Sequence, residues 1–187
     1  MKTETRLHTQ TAQTLEATAT EYTSQEKALT RRVIVCAGTG CVANGSLKVY
    51  EAFARLSAEK NLNVVVELRE EKPNSVYFSK SGCQGFCQMG PLVTILPEGW
   101  LYTKVKEADV EECVKRTLVQ GEKVERLLYV DHKTQKTCAG VDEIPFYQKQ
   151  HRFVLKECGR INPEDIREYI AHLCSQVVDV PVRIAAG

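Results

Sequence analysis

The chain has 187 residues, 43% of them hydrophobic, which is enough for one domain of ordinary size with extensions, and its 25 basic residues stand against 24 acidic ones. So close a balance argues against a general nucleic-acid binder, which shows a basic excess or stripe; Arg31-Arg32 and the Lys/Arg residues near 149–156 read as solvated faces. No apolar run reaches membrane-spanning length and residues 1–30 carry no signal-peptide core, so eight cysteines suit a reducing, cytoplasmic setting where thiols bind metals or sit in cores.

Residues 1–30 hold nine threonines among Glu, Gln and Ala. They read as a polar tail that orders only against a partner, or as a short helix over 15–29. Residues 32–36 are β-rich and deliver Cys36. Asn44-Gly-Ser46 supplies a helix start, and Leu47, Tyr50, Phe53 and Ala54 recur at the helical period up to about residue 60. A strand over 61–70 follows, its Val64-Val-Val66 continuous enough for burial on both faces. Strand, helix, strand implies a right-handed crossover and a parallel pair. Lys72-Pro-Asn74 breaks the chain and Val76-Tyr-Phe78 is a short strand or extended lead-in.

Residues 92–96 and 100–105 make a hairpin around Pro97-Glu-Gly99. Val110, Cys113, Val114, Thr117 and Leu118 then mark one helical face, which makes Cys113 a core thiol. Past residue 121 comes an extended segment over 124–130 and a polar loop over 131–142. Asn162-Pro-Glu-Asp165 reads as a helix start with a cap, a first-position proline and acids at the positive dipole end. Ile166, Tyr169, Ile170 and Leu173 form its apolar stripe. That stripe calls either for a partner or for packing back on the chain's own domain. Cys138, Cys158 and Cys174 are too irregularly spaced for a ligand knuckle, and His132, His151 and His172 are unassigned.

The chemistry lies in two loops, Cys36-Ala-Gly-Thr-Gly-Cys41 and Cys83-Gln-Gly-Phe-Cys87. Glycines between the cysteines let backbone curl around a bulky centre and aim N–H groups at sulfur. Four thiolates suit zinc or iron–sulfur over magnesium or calcium. Structural zinc sites lean on knuckles with two residues between ligands, whereas the gaps here are four and three residues. Wider loops let each pair take a separate iron, so the spacing favours a [2Fe–2S] cluster on Cys36, Cys41, Cys83 and Cys87, with zinc, disulfides or free thiols as the alternatives.

These loops, with Arg32-Val-Ile-Val-Cys36 before the first and the run from Gly90 to Tyr102 after the second, resemble the thioredoxin-like [2Fe–2S] ferredoxins. The resemblance is strongest to the version at the N-terminus of the NADH-binding flavoprotein subunit of NAD(P)-linked hydrogenases and complex I-like enzymes. It covers residues 31–130, and more loosely 143–172, where Glu143-Ile-Pro-Phe-Tyr-Gln-Lys-Gln150 and Arg152-Phe-Val-Leu-Lys-Glu-Cys-Gly159 resemble the opening of that subunit's flavin-binding domain.

The resemblance implies an α/β fold: a thioredoxin-like mixed sheet flanked by helices, with a C-terminal helical extension. The domains would be a polar tail (1–30), the ferredoxin domain (31–130), and a linker with helical extension (131–187). The cluster would sit at one end of the sheet, shielded by Val42, Phe86, Met89 and Leu92, with Pro91 either cis as in that fold or an ordinary trans proline. The implied function is one-electron transfer, with an FMN/NADH-binding flavoprotein and other iron–sulfur subunits as partners. Glycine-rich flavin and nicotinamide loops and any nucleophile–base dyad are missing from the 187 residues, so hydride chemistry, if it belongs to this system, is expected on another polypeptide. An iron–sulfur sensor or assembly protein and a zinc-stabilised interaction module are the alternatives.

Overall fold

A computed structural model describes residues 12–177. Its centre is a five-stranded sheet: β1 (Leu29–Cys36), β2 (Asn63–Val65), β3 (Ser75–Ser81), β4 (Val93–Leu96) and β5 (Trp100–Tyr102), in the spatial order β2-β3-β1-β4-β5. β1 and β2 both run parallel to β3, while β4 and β5 are antiparallel additions on the other side of β1. The thioredoxin-like order of a parallel unit followed by a hairpin is therefore present.

The parallel neighbour of β1 is not the strand expected over 61–70. That segment keeps only three strand residues, at the sheet edge, and Val66 is 51% exposed. The central place goes to β3, buried at every position except the half-buried Lys80. Its Ser75, Ser79 and Ser81 make it look polar, yet small hydroxyls fit between packed layers where larger polar groups do not.

One face of the sheet is covered by α3 (Ser46–Glu59) and by α4 (Val110–Cys113), which continues as a wide π turn, Val114–Val119. Val110, Cys113, Val114, Thr117 and Leu118 are all buried, as their period indicates. α3 buries Phe53 and packs Tyr50 on the core as expected, but Val49 and Ala52 face the sheet beside them and Leu47 is exposed.

The opposite face carries α1 (Ala12–Lys27) and α6 (Ile166–Val177), which pack together over Val65, Leu68 and Tyr77. Residues 1–11 fall outside the described residues, but from Ala12 the polar tail is helix. Its threonines permit this because Thr18, Thr20 and Thr23 return their hydroxyls to the carbonyls four residues back. Ala19, Tyr22 and Gln25 make its buried face.

α6 is held by charge. Arg32 on β1, read above as solvated, is buried beneath it and donates to both carboxylate oxygens of Glu168 at 2.5 and 3.1 Å and to Ser79 at 3.1 and 3.0 Å. Its guanidinium lies 4.8 Å from the centre of the Tyr77 ring. Glu168 also accepts the Asn162 backbone N–H. This pairing turns Glu168 and Ala171 inward and leaves Ile166 and Tyr169 of the expected stripe exposed, while Ile170 packs against the core as expected and the Leu173 side chain lies outside the described residues. The helix starts at Ile166 rather than after Asn162, with the Asp165 carboxylate accepting the Arg167 N–H.

Between these helices the chain runs along β5. Leu101 and Thr103 donate their N–H groups to Ala139 and Leu127 at 2.8 and 2.7 Å, so the sheet edge is covered. A two-stranded ribbon, β6 (Tyr129–Val130) with β7 (Thr137–Cys138), leads to the short helix α5 (Pro145–Gln148). Among the described residues no helix is long and apolar enough to cross a membrane.

Candidate metal centre

β1 and β3 are adjacent and parallel, so their C-terminal ends lie on one edge of the sheet; Cys36 pairs with Ser81 across them. Each strand end opens into one cysteine loop. Cys36 donates its N–H to Leu92 and Ala37 to Ser81, which fixes the start of the first loop against the second. A one-turn helix, α2 (Thr39–Ala43), then carries Cys41 back toward Cys36, and the second loop brings Cys87 to 3.7 Å from Cys83, sulfur to sulfur.

Glycine makes this approach possible. A Cβ on Gly38 would stand 2.7 Å from Cys83 Cβ and 2.9 Å from its Cα, and one on Gly90 would stand 2.6 Å from Cys41 Sγ. Gly40 is closest to Cys87, at 3.2 Å. Three of the four cysteines are thus met by a glycine of the facing segment. Gly85, at φ +86°, turns the second loop and donates its N–H toward Cys83 Sγ at 3.4 Å.

The thiols are grouped as two pairs. Among the described residues no three or more His, Cys, Asp or Glu side chains are arranged to hold a single metal ion. Cys36 and Cys41 are buried, Cys83 is half-buried and Cys87 is exposed. A hydrogen bond with Cys41, opposed by burial and aided by the Gln84 and Gly38 backbone, pushes the Cys36 thiol down to about 6. The same contact, with burial, pushes Cys41 up. Contact with Cys83 raises Cys87. Soft donors in two pairs, in a cradle that any added Cβ would fill, fit a thiolate-held binuclear centre.

The apolar wall differs from the expected one in a single member. Phe86, Leu92 and Met89 line it together with Leu101, Ile144 and Tyr147, whereas Val42 points outward at 37% exposure. Phe86 stacks on Phe146 with centroids 4.5 Å apart. The Gly90–Pro91 bond is cis, as is Leu96–Pro97. Cys113 lies in the core and burial pushes its thiol up to about 12. Cys138 is buried and donates to the Glu143 carbonyl at 3.3 Å. Cys158 packs on the residue that precedes the second loop: its Sγ lies 3.3 Å from where a Gly82 Cβ would be. The Cys174 side chain lies outside the described residues.

A family model, thioredoxin-like [2Fe-2S] ferredoxin, matches residues 5–118. The chain belongs to that family. As a thioredoxin-like ferredoxin it takes a [2Fe–2S] cluster as cofactor, and its chemistry is ferredoxin-type electron transfer. Its relatives include a 2Fe-2S ferredoxin of Aquifex aeolicus, 34% identical over 89 residues, spanning 47% of this chain and 71% of that one. Another is the 2Fe-2S ferredoxin of Clostridium pasteurianum, 35% identical over 96 residues, spanning 51% of this chain and 91% of that one. The crystal structure of the Aquifex aeolicus thioredoxin-like ferredoxin superposes with a TM-score of 0.43 at 31% identity, covering 52% of this chain and 93% of that one. The family match takes in the whole of α1 and stops before the segment that carries α5, Cys158 and α6.

Proposed function

We propose that Cys36 and Cys41 hold one iron of the cluster and Cys83 and Cys87 the other, and that the chain passes single electrons between an NAD(P)-linked flavoprotein and a further iron–sulfur carrier. The observation that carries the ligand assignment is the pairing of these four thiols at the ends of two parallel neighbours, with glycines wherever they approach. When bound, the cluster supplies a one-electron acceptor and donor. The protein's own residues set its surroundings. Phe86, Leu92 and Leu101 exclude water from the Cys36–Cys41 side, and the Gln84 and Gly38 backbone groups stabilise the Cys36 thiolate.

Cys87 is exposed, so electrons enter and leave on the Cys83–Cys87 side. The resemblance over 143–172 supports a flavoprotein as one partner. So does an exposed apolar run: Phe153 and Val154 are 85% and 87% exposed, five residues or fewer in sequence from Cys158, amid Lys149, Arg152, Lys156 and Arg160. A protein surface with an apolar recess and an acidic rim is the complement of such a run.

The test is metal and sulfide analysis of anaerobically purified protein with paramagnetic resonance after dithionite reduction, then stopped-flow reduction by an NADH-oxidising flavoprotein. About two irons and two sulfides per chain with a spin-half signal are expected. Phe153→Ser with Val154→Ser is expected to keep that signal and to slow reduction by the flavoprotein. Zinc without sulfide would refute the ligand reading; an unchanged rate in the double variant would refute the docking reading alone.

A further inference from the structure

Beyond the residues matched to the family, α5 places an aromatic side chain against the thiols. Tyr147 belongs to the same apolar cluster as Cys36 and Cys41, is only 7% exposed, and meets Phe86 edge-on at 5.6 Å between centroids. Phe86 itself stands between Cys83 and Cys87 in the second loop. The Tyr147 hydroxyl is fully buried and has no hydrogen-bond partner among the described residues, thiol sulfurs included. Arg152 covers the ring, its guanidinium 5.6 Å from the centroid, and one of its terminal nitrogens is also buried without a partner. The next turn is seated on the second loop, with Gly159 pressed against the Gln84 side chain and Cys158 against Gly82.

A buried hydroxyl that donates to nothing is destabilising, and native structures pair such groups with few exceptions. This one lies in a wall whose remaining occupant is an anionic iron–sulfur centre. We propose that Tyr147 donates an O–H···S hydrogen bond to a sulfur of the bound cluster and thereby raises its reduction potential. The inference rests on the four cysteines holding that cluster. The hydrogen bond strengthens as the sulfurs gain negative charge on reduction, so it favours the reduced state. The phenol stays protonated to do this: burial foremost, then the Cys36, Cys83 and Cys41 thiolates, raise its pKa against the Arg152 charge. The segment outside the family match would then be a device that tunes a shared centre.

Tyr147→Phe removes the hydroxyl and keeps the ring. The cluster-free variant is expected to melt at or above the wild-type temperature, since the lost group has no protein partner. The loaded variant is expected to hold wild-type iron and sulfide and to shift the oxidised-to-reduced ratio at fixed potential by about threefold to tenfold, the latter being about 59 mV toward the negative. Its Fe–S stretching bands in resonance Raman should also respond less to D2O than those of wild type. A fully loaded variant at wild-type potential would overturn the proposal. So would a cluster-free variant that melts lower or fails to fold, because the phenol would then serve the fold. Failure of the ligand assignment shows separately, in the wild type and in Cys83→Ala, before any Tyr147 variant is made, and the proposal falls with it.

Discussion

Gly38→Ala isolates the steric demand of the metal centre. Gly38 sits at φ −64° and ψ 149°, a conformation any residue adopts, so the substitution adds no backbone strain. What it adds is a methyl group 2.7 Å from Cys83 Cβ, 2.9 Å from Cys83 Cα and 3.0 Å from Cys83 Sγ. The two carbon contacts lie roughly 0.6–0.8 Å inside the ~3.5 Å at which carbon atoms meet comfortably. One partner is backbone and cannot rotate away, so the two loops must separate by a comparable distance. Metal–ligand bonds tolerate about 0.2 Å. The expected result is a cluster-free protein destabilised by about 1–3 kcal/mol, as for overpacking in a filled core. At about 2–4 °C per kcal/mol for a chain of this size, the melting temperature falls by about 2–12 °C. Reconstituted iron and sulfide should fall well below two per chain. Gly40→Ala, at 3.2 Å from Cys87 Cβ, should do the same more mildly. Gly99→Ala, with positive φ and no neighbour within 4 Å, should cost stability and leave the cluster spectrum unchanged. Calorimetry and reconstitution measure both quantities, and a Gly38→Ala protein with a full cluster at wild-type stability would refute the steric account.

Replacing Cys36, Cys41, Cys83 or Cys87 singly by Ala should abolish or severely weaken the [2Fe–2S] absorption and resonance signals, whereas Cys138→Ala, in the same apolar cluster as Cys36 and Cys41 but with its thiol given to the Glu143 carbonyl, should leave them intact; equal loss from Cys138→Ala would refute the ligand set. Glu168→Gln removes the buried counter-ion of Arg32 and leaves it only the partly exposed Glu26 carboxylate at 3.4 Å, so it should cost about 3 kcal/mol in denaturant unfolding, the low end for breaking a buried pair; a loss under about 1 kcal/mol, the range of an exposed pair, would show that Arg32 and Glu168 are not buried together. Cys113 carries a pH dependence of definite sign. Its thiol is raised from 9.0 to about 12 in the folded protein, so the unfolded chain ionises first and stability falls as pH rises through 9 toward 12. Cys113→Val should flatten that fall between pH 9 and 10, before unfolded tyrosines join it, and an unchanged slope would place the thiol nearer water.

The gathering of the four thiols at one edge of the sheet was legible because its signals are local: two cysteine gaps, glycines within them and a β-rich run before the first. The helical face from Val110 to Leu118 was legible for the same reason, since periodicity survives without knowledge of the partner. What escaped depends on residues far apart in the chain. Arg32 looked like surface charge because Glu168 stands 136 residues away, and the same pair turned Glu168 and Ala171 of α6 inward in place of Ile166 and Tyr169. β3 was undervalued because three serines dilute its hydrophobicity, although no other strand in the sheet has neighbours on both sides that run parallel to it. Tyr147 and Cys158 gave no sign of their position, since nothing in their spacing ties either to a loop more than 50 residues upstream.

The two cysteine pairs face different environments, and the segment beyond the family match widens that difference. Ile144 and Tyr147 join Leu92 and Leu101 over Cys36 and Cys41, adding low-dielectric cover to the side already buried in the fold. Cys87 stays exposed, as does the Phe153–Leu155 run of the same segment. Burial raises the cost of adding negative charge on reduction, while a nearby hydrogen-bond donor lowers it. The segment supplies both, so its net effect on potential is a difference between opposed terms, and Tyr147→Phe removes one term while preserving the other. On this reading the place of the four thiols comes from β1 and β3, and the proposed tuning comes from a segment beyond the family match that packs Ile144 and Tyr147 against them.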